Sequence, residues 1–308
     1  MLTLQAKRFE TISSSDTVAI LCTQEQIDTN SFIPQQLSDV FAIINTKTFK
    51  AKPNTYFFAA LKDRPSILLV GLGSHKDITP ESLRNAASVI VGACSDKSVS
   101  EVHIVVPEIN VTNDTARYIA EGVYLANYAF NRYKTQKEET SPLLEKAILL
   151  SDNPGQLSPL LKEVSIVCSN TLLCRDLVNE ITENANPLTI AKLAKKIAAQ
   201  SKIKCTVYNK KDIEKMKMGL LLAVSQGSKY PPQLIVMHYR GAPSKKDSIA
   251  LVGKGITFDT GGINLKPSGH IETMRTDMAG AAACLYTINA IAQMKLPINV
   301  YAVIPLAE

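Results

Sequence analysis

Apolar runs alternate with amphipathic stretches along the first half of the chain. Short runs of consecutive apolar residues are typical of strands that are buried on both faces. Such runs lie at 18–22, 56–60, 66–70, 102–106 and 146–150. Between them, Thr79 followed by Pro80 predicts the start of a helix, because a capping hydroxyl and then a proline suit the first helical positions. A second helix is predicted over 114–130. The pattern therefore predicts an α/β domain over residues 1–150.

The second half resumes the alternation after a long helical pattern. A turn-rich segment at 151–155 precedes apolar residues at helical spacing from Ser158 to Asn179, which predicts a connector over 151–182. Beyond it, helices are predicted at 189–199, 211–216 and 273–294, and strands at 203–208, 220–224, 234–238, 249–252 and 299–304. Residues 183–308 are therefore expected to form a second α/β domain with a mostly parallel sheet.

Composition narrows the class of protein. The 308 residues are 45% hydrophobic and 20% charged, as in soluble globular proteins. No apolar run approaches the roughly 20 residues of a membrane span, and the first residues do not resemble a signal peptide. The six cysteines form no Cys-x-x-Cys pair, which favours reduced, buried thiols. These features predict a cytoplasmic protein with no membrane partner.

Charge and motifs disfavour several functions. The net charge of +6 comes from lysines scattered in small groups, which indicates solvated surfaces rather than a nucleic-acid interface. The chain has no Gly-x-Gly-x-x-Gly fingerprint, no phosphate-binding loop, no His-Glu-x-x-His and no Gly-x-Ser-x-Gly. Dehydrogenase, kinase and serine-hydrolase functions are therefore not favoured.

One segment combines charged candidate site residues with glycines, which allow the backbone to turn tightly. The strand predicted at 249–252 runs into a glycine-dense loop that contains Lys254, Asp259 and Lys266, and Asp277 follows in the first turns of the helix predicted at 273–294. Ligands of open α/β sheets bind beyond the carboxyl ends of the strands. Two carboxylates and two amines there suit a hydrolytic site for hard cations. A glycine-rich loop with salt-bridged surface lysines and aspartates explains the same spacing equally well.

The same residues resemble a known family. The runs Val252-Gly253-Lys254-Gly255, Phe258-Asp259-Thr260-Gly261-Gly262 and Leu265-Lys266-Pro267, followed by Asp277-Met278, are similar to the signature of the leucyl aminopeptidases, also called cytosol aminopeptidases. The stretches 121–125, 175–179, 219–228 and 231–236 are similar as well. The resemblance implies a macrodomain-like amino-terminal domain and a peptidase domain that assemble into a hexamer. It also implies two divalent ions, manganese or zinc, and removal of amino-terminal residues, often leucine, from peptides.

The resemblance also implies roles for individual residues. Lys254 matches the amine ligand of one metal, Asp259 the carboxylate shared by both metals, and Asp277 a further ligand of the lysine-bound metal. Lys266 matches the catalytic lysine, which contacts the peptide carbonyl. Met274 matches a side chain that lines the pocket for the first residue of the substrate.

A second metal motif of the family is missing from the sequence. That motif resembles Asn-Thr-Asp-Ala-Glu-Gly-Arg and supplies two further ligands and the arginine that holds a bicarbonate base. The chain reaches Glu308 without it, which predicts a carboxy-terminally truncated peptidase domain. Two hypotheses follow. The chain is a metallo-aminopeptidase that is active only when the absent region is supplied, or it is an inactive chain with an assembly, interaction or nucleic-acid-binding role.

Overall fold

The structure, a computed structural model, describes residues 2–44, 48–107, 114–136 and 143–308. The chain divides into two compact units, and the boundary along the chain lies between Cys168 and Ser169. This division falls inside one long helix, so the domain limits at 150 and 182 remain predictions. No helix among the described residues is both long and apolar enough to cross a membrane.

The first unit is built on one six-stranded sheet. Its elements in chain order are β1 (Thr3–Lys7), β2 (Thr17–Cys22), α1 (Gln24–Thr29), α2 (Ser38–Phe41), β3 (Tyr56–Ala59), β4 (Ser66–Gly71), α3 (Pro80–Asp96), β5 (Glu101–Val105), α4 (Thr115–Ala126), β6 (Lys146–Leu150) and the start of α5 (Pro154–Asn179). The strand order is β1-β6-β5-β2-β4-β3. All neighbours are parallel except β3 and β4.

The local signals in the sequence explain most of these elements. Strands β2, β4, β5 and β6 coincide with the predicted apolar runs and are almost wholly buried. Helix α3 begins as predicted: the Thr79 hydroxyl accepts a hydrogen bond from the Ser82 backbone N–H at 3.1 Å, and Pro80 occupies the first turn. Strand β1 was not predicted, because polar and apolar residues alternate along it and its side chains are only partly buried.

The second unit holds a smaller sheet. Its elements after α5 are α6 (Pro187–Gln200), β7 (Lys204–Tyr208), α7 (Lys210–Lys215), α8 (Gly219–Val224), β8 (Gln233–Arg240), β9 (Ile249–Val252), β10 (Gly255–Ile256), α9 (Ala279–Gln293) and β11 (Asn299–Ala307). The strand order is β10-β11-β8-β7, and β9 also pairs with β11. Side chains from α6 and α9 share one apolar core with β8 and β11, including Ile190, Leu285 and Ile304.

The orientation of the second sheet differs from the prediction. The first sheet is mostly parallel, but β8 runs antiparallel to both β7 and β11, and only β9 and β10 run parallel to β11. The sequence predicted parallel strands because apolar strands alternate with helices. That alternation does not exclude antiparallel neighbours, since the direction of a strand depends on the end of the sheet at which it begins, and mixed sheets are common. The second sheet is therefore mixed.

Two local predictions in the second unit are wrong. Residues 220–224 form the helix α8 rather than a strand, because five consecutive apolar residues suit either structure. The helix predicted at 273–294 is divided: a 3₁₀ helix spans Glu272–Thr276, and α9 begins at Ala279. The break follows from a tertiary contact, since the Ala281 N–H donates to the Lys254 carbonyl at 2.9 Å. Asp277 therefore precedes α9 and does not lie in its first turns.

Candidate active site

The backbone around Lys254 is fixed by the start of α9. Gly253 and Lys254 interrupt the edge formed by β9 and β10, both of which pair with β11. A Cβ atom at Gly253 would lie 2.6 Å from the Gly280 carbonyl oxygen and 2.9 Å from Ala281 Cα. Only glycine permits this approach. The Lys254 backbone therefore lies directly against the start of α9, which brings Asp277 to the same place.

Replacement of Gly253 by alanine should destabilise the second unit by about 1–3 kcal/mol, because its methyl group collides with backbone that cannot move easily. Urea denaturation followed by circular dichroism measures the change. Gly92→Ala is the matched control, since nothing lies within 4 Å of a Cβ at that helical position. Equal stability of the Gly253→Ala chain and the unmodified chain would contradict the close approach.

The loop after β10 folds back on itself. Gly261 and Gly262 adopt positive φ angles of 93° and 68°, which favour glycine. The Gly261 N–H donates to Asp259 Oδ1 at 2.8 Å, and the Lys266 N–H donates to the Thr260 carbonyl at 3.0 Å. This reversal returns the Lys266 side chain to Asp259, and Lys266 Nζ lies 2.7 Å from Asp259 Oδ2.

All five residues singled out in the sequence meet in this region. Lys254 Nζ forms an ion pair with Asp277 Oδ2. Lys266 Nζ, already paired with Asp259, lies 2.9 Å from Met274 Sδ. The Met274 carbonyl accepts a hydrogen bond from the Asp277 N–H at 3.3 Å. The two ion pairs are thus linked through Met274, whose backbone and side chain contact one member of each pair.

The electrostatics of the cluster follow from these contacts. The hydrogen bond from Lys266 and then that from the Gly261 N–H hold the pKa of Asp259 below its ordinary value, and the more distant Lys254 charge acts in the same direction. Two ammonium groups and two carboxylates balance in charge. A salt-bridged surface loop would also pair these charges, but it would not require both pairs and Met274 to converge.

The side chains fit part of a metal centre. Carboxylate oxygens from Asp259 and Asp277 suit hard divalent cations, and Lys254 becomes a nitrogen donor if its ammonium loses a proton. A dication needs four or more donors. Within the described ranges, no group of three or more His, Cys, Asp or Glu residues is placed to hold a metal. Lys254, Asp259 and Asp277 together offer an amine and two carboxylates as possible donors to such an ion.

An apolar cavity of about 590 Å³ lies beside Lys254. Helix α8 contributes Leu220, Leu221 and Val224 to its lining, and Leu220 is 87% exposed. The position of α8 beside Lys254 could not be predicted from the sequence, because the apolar run at 220–224 suits a buried strand as well as a helix. The signal that pointed to this region was the similarity of residues 219–228 to the family.

The sequence and the geometry agree with one family. A family model described as the cytosol aminopeptidase family, catalytic domain, matches residues 172–308. The model of that family's N-terminal domain matches residues 23–137. The chain belongs to the cytosol aminopeptidase family. The resemblance found in the sequence is thereby confirmed, and the mixed α/β architecture of both units is consistent with the two family domains.

Individual members of the cytosol aminopeptidase family match over most of this chain. A probable cytosol aminopeptidase of Protochlamydia amoebophila is 39% identical over 274 residues, which are 87% of this chain and 55% of that protein. One from Nitrosospira multiformis is 37% identical over 257 residues, 79% of this chain and 49% of that protein. The chain thus spans about half the length of the curated relatives it matches.

A solved structure shares the fold. The bottromycin maturation enzyme BotP, in complex with Mn, matches with a TM-score of 0.78 and 27% sequence identity. The match covers 96% of this chain and 60% of that enzyme. The architecture of this chain therefore corresponds to a part of a larger enzyme whose structure was solved with manganese.

Proposed function

We propose that this chain carries the first part of the catalytic site of a metal-dependent aminopeptidase, which removes amino-terminal residues from peptides. The observation that supports this proposal is the convergence of Lys254, Asp259, Lys266 and Asp277 at the start of α9. Membership of the cytosol aminopeptidase family supplies the reaction class.

The proposed roles follow from the chemistry of each group. Lys254, Asp259 and Asp277 would hold divalent ions. When bound, such ions polarise a carbonyl group and lower the pKa of a bound water. The Lys266 ammonium would donate a hydrogen bond to the peptide carbonyl oxygen and stabilise the negative charge that develops there as water adds to the carbonyl carbon. The peptide C–N bond then breaks, and the leaving nitrogen takes up a proton.

We propose two ions, manganese or zinc, with the remaining ligands provided by residues outside this chain. The curated relatives are about twice as long as the matched part, so the stretch that this chain does not represent can contain them. The bicarbonate base stays a prediction, because the arginine expected to hold it belongs to the motif absent here. The hexamer and the cytoplasmic location also stay predictions.

The apolar cavity beside Lys254 supports a preference for apolar amino-terminal residues of the leucine type. Most of its lining is apolar, including Leu220, Leu221 and Val224, and its charged lining residues are Lys217 and Lys254. Met274, whose sulfur lies beside the Lys266 ammonium, does not line this cavity and is proposed as a separate contact for the first side chain of the substrate. We expect leucyl substrates to be cleaved in preference to aspartyl or lysyl substrates.

The test compares this chain with a hybrid in which it is joined to the unmatched remainder of the Protochlamydia relative. We expect the hybrid to hydrolyse leucyl-anilide with added Mn²⁺ or Zn²⁺, to act more slowly on aspartyl-anilide, and to stop when a chelator removes the metal. An inactive hybrid that is folded and loaded with metal would favour the alternative hypothesis of a non-catalytic chain with an assembly role. Hydrolysis that persists in chelator would contradict the proposal.

A further inference from the structure

A chain of hydrogen bonds between polar side chains joins the far end of α9 to its neighbours in the second unit. The hydroxyl of Ser201, which directly follows α6, donates to Asn289 Oδ1 at 2.6 Å. Asn289 Nδ2 donates to Asn170 Oδ1 at 2.6 Å, and Asn170 Nδ2 donates to Gln293 Oε1 at 2.9 Å. Asn170 lies on α5, and its side chain and that of Asn289 are buried, at 3% and 6% exposure. These four residues form what we call the amide network.

The amide network constrains the position of α9 more strictly than apolar packing does. Apolar contacts have no preferred direction, so they tolerate small movements of one helix along another. A hydrogen bond weakens steeply when its atoms separate or lose alignment, and a buried amide without a partner is costly. Asn289 and Gln293 lie one turn apart on α9 and bond to the same residue of α5, Asn170. Movement of α9 along its axis would therefore break both bonds at once.

The start of α9 has small side chains that do little to fix its position. From Ala279 to Ala283 each side chain is a methyl group or a hydrogen atom, and such a surface offers few ridges to interlock with a neighbour. Met278 is fully buried just before the helix, but methionine is flexible and adapts to its surroundings. A directional contact at this end is the hydrogen bond from the Ala281 N–H to the Lys254 carbonyl, at 2.9 Å.

The position of α9 matters because Asp277 directly precedes the helix and pairs with Lys254. A functional site needs its groups held to within about 0.5 Å. Asn289 is roughly 15 Å along the axis from the first residue of α9, and a regular helix carries an axial movement over that distance. We infer that the amide network positions α9 along its axis and so holds Asp277 against Lys254. This inference rests on the proposed function, in which both residues bind the metal.

The first experiment measures the position of α9 without metal or substrate. In the double variant Asn170→Leu/Asn289→Leu, both buried amides become apolar side chains of similar size, so neither leaves the other unpaired and stability should be nearly retained. Water can replace the lost bonds of Ser201, which is half-buried, and of Gln293, which is exposed. Hydrogen exchange followed by NMR should show the Ala281 N–H exchanging about tenfold faster or more, because its bond to the Lys254 carbonyl loosens.

Two controls separate positioning from a general loss of stability. The Ala282 N–H donates within the helix to the Met278 carbonyl at 3.1 Å, so its exchange rate should stay unchanged in the double variant. Gln200→Leu replaces an exposed amide beside Ser201 and should change neither rate. An unchanged Ala281 rate in the double variant would overturn the inference. Faster exchange at Ala281 and Ala282 alike, matched by a lower stability in urea, would show a merely structural role and would also overturn it.

The second experiment places the same double variant in the hybrid aminopeptidase. We expect Mn²⁺ to bind about tenfold more weakly, the lower end of the effect of residues that support a ligand. With saturating Mn²⁺, kcat for leucyl-anilide should fall while KM changes much less, because α9 carries a metal ligand. Full Mn²⁺ affinity together with full kcat would overturn the inference. An unmodified hybrid that is folded but inactive would contradict the peptidase proposal alone, since the exchange of Ala281 decides the position of α9 without activity.

Discussion

Replacement of Lys266 by alanine is expected to lower kcat of the hybrid aminopeptidase about 10²–10³-fold, the usual cost of removing one preorganised donor to a developing oxyanion. KM should change much less, because the interaction strengthens only as the carbonyl oxygen gains charge. Steady-state hydrolysis of leucyl-anilide measures both constants. Lys245→Ala, which removes an exposed lysine from the same unit, is the control and should retain full activity.

The same substitution has a readout that does not depend on activity. In the chain as it stands, the Lys266 ammonium is the first cause of the lowered pKa of Asp259, so Lys266→Ala should raise that pKa towards its ordinary value. A carboxylate with a lowered pKa in the folded state adds stability above its unfolded pKa, and this contribution disappears as the pH falls through the folded value. The effect on stability is small, because Asp259 is 37% exposed and solvent screens the pair.

Carboxyl-detected NMR titration follows Asp259 directly. We expect the midpoint to shift upwards in Lys266→Ala and to stay unchanged in Lys245→Ala. Unchanged kcat together with an unchanged titration of Asp259 would remove Lys266 from the site. Loss of activity with an unchanged titration would show that the two side chains do not form the observed pair in solution.

Substitution of the proposed ligands should abolish strong metal binding. Asp277→Asn and Lys254→Met remove a carboxylate charge and an amine while keeping similar side-chain volumes. Each should weaken Mn²⁺ binding to the hybrid by at least about 100-fold, since even the loss of a residue that only supports a ligand costs 10–100-fold. Titration calorimetry at fixed pH gives the affinity.

The control for this series is Asp247→Asn. Asp247 is an exposed carboxylate in the same unit, and its backbone carbonyl rather than its side chain contacts Asn299. Its substitution should leave Mn²⁺ affinity unchanged. If Asp277→Asn and Lys254→Met bind Mn²⁺ as tightly as the unmodified hybrid, the two residues form only a surface ion pair.

The sequence predicted the parts of the fold that depend on local signals. Consecutive apolar residues identified β2, β4 and β5, because strands buried on both faces need no polar positions. Thr79 and Pro80 identified the start of α3, since capping is decided by neighbouring residues.

The remaining features depend on contacts between distant residues. The break before α9 arises because the Ala281 N–H bonds to the Lys254 carbonyl, 27 positions away in the sequence, and no local pattern encodes that bond. The antiparallel pairing of β8 with β7 and β11 depends likewise on how the crossovers pack. The four charged residues of the site were recognisable because they lie in runs that resemble the signature of the leucyl aminopeptidases, whereas their spacing alone suits a salt-bridged surface loop equally well. The contribution of α8 was not, because it depends on tertiary packing.

The proposed metal centre has Asp259, Asp277 and Lys254 on one side. Diffraction from crystals of the hybrid soaked in Mn²⁺, collected at the manganese absorption edge, shows whether the ion binds there. We predict an anomalous peak within coordinating distance of both carboxylates and of Lys254 Nζ. Manganese bound only at other positions, with the Lys254–Asp277 and Lys266–Asp259 ion pairs intact, would contradict the proposed centre.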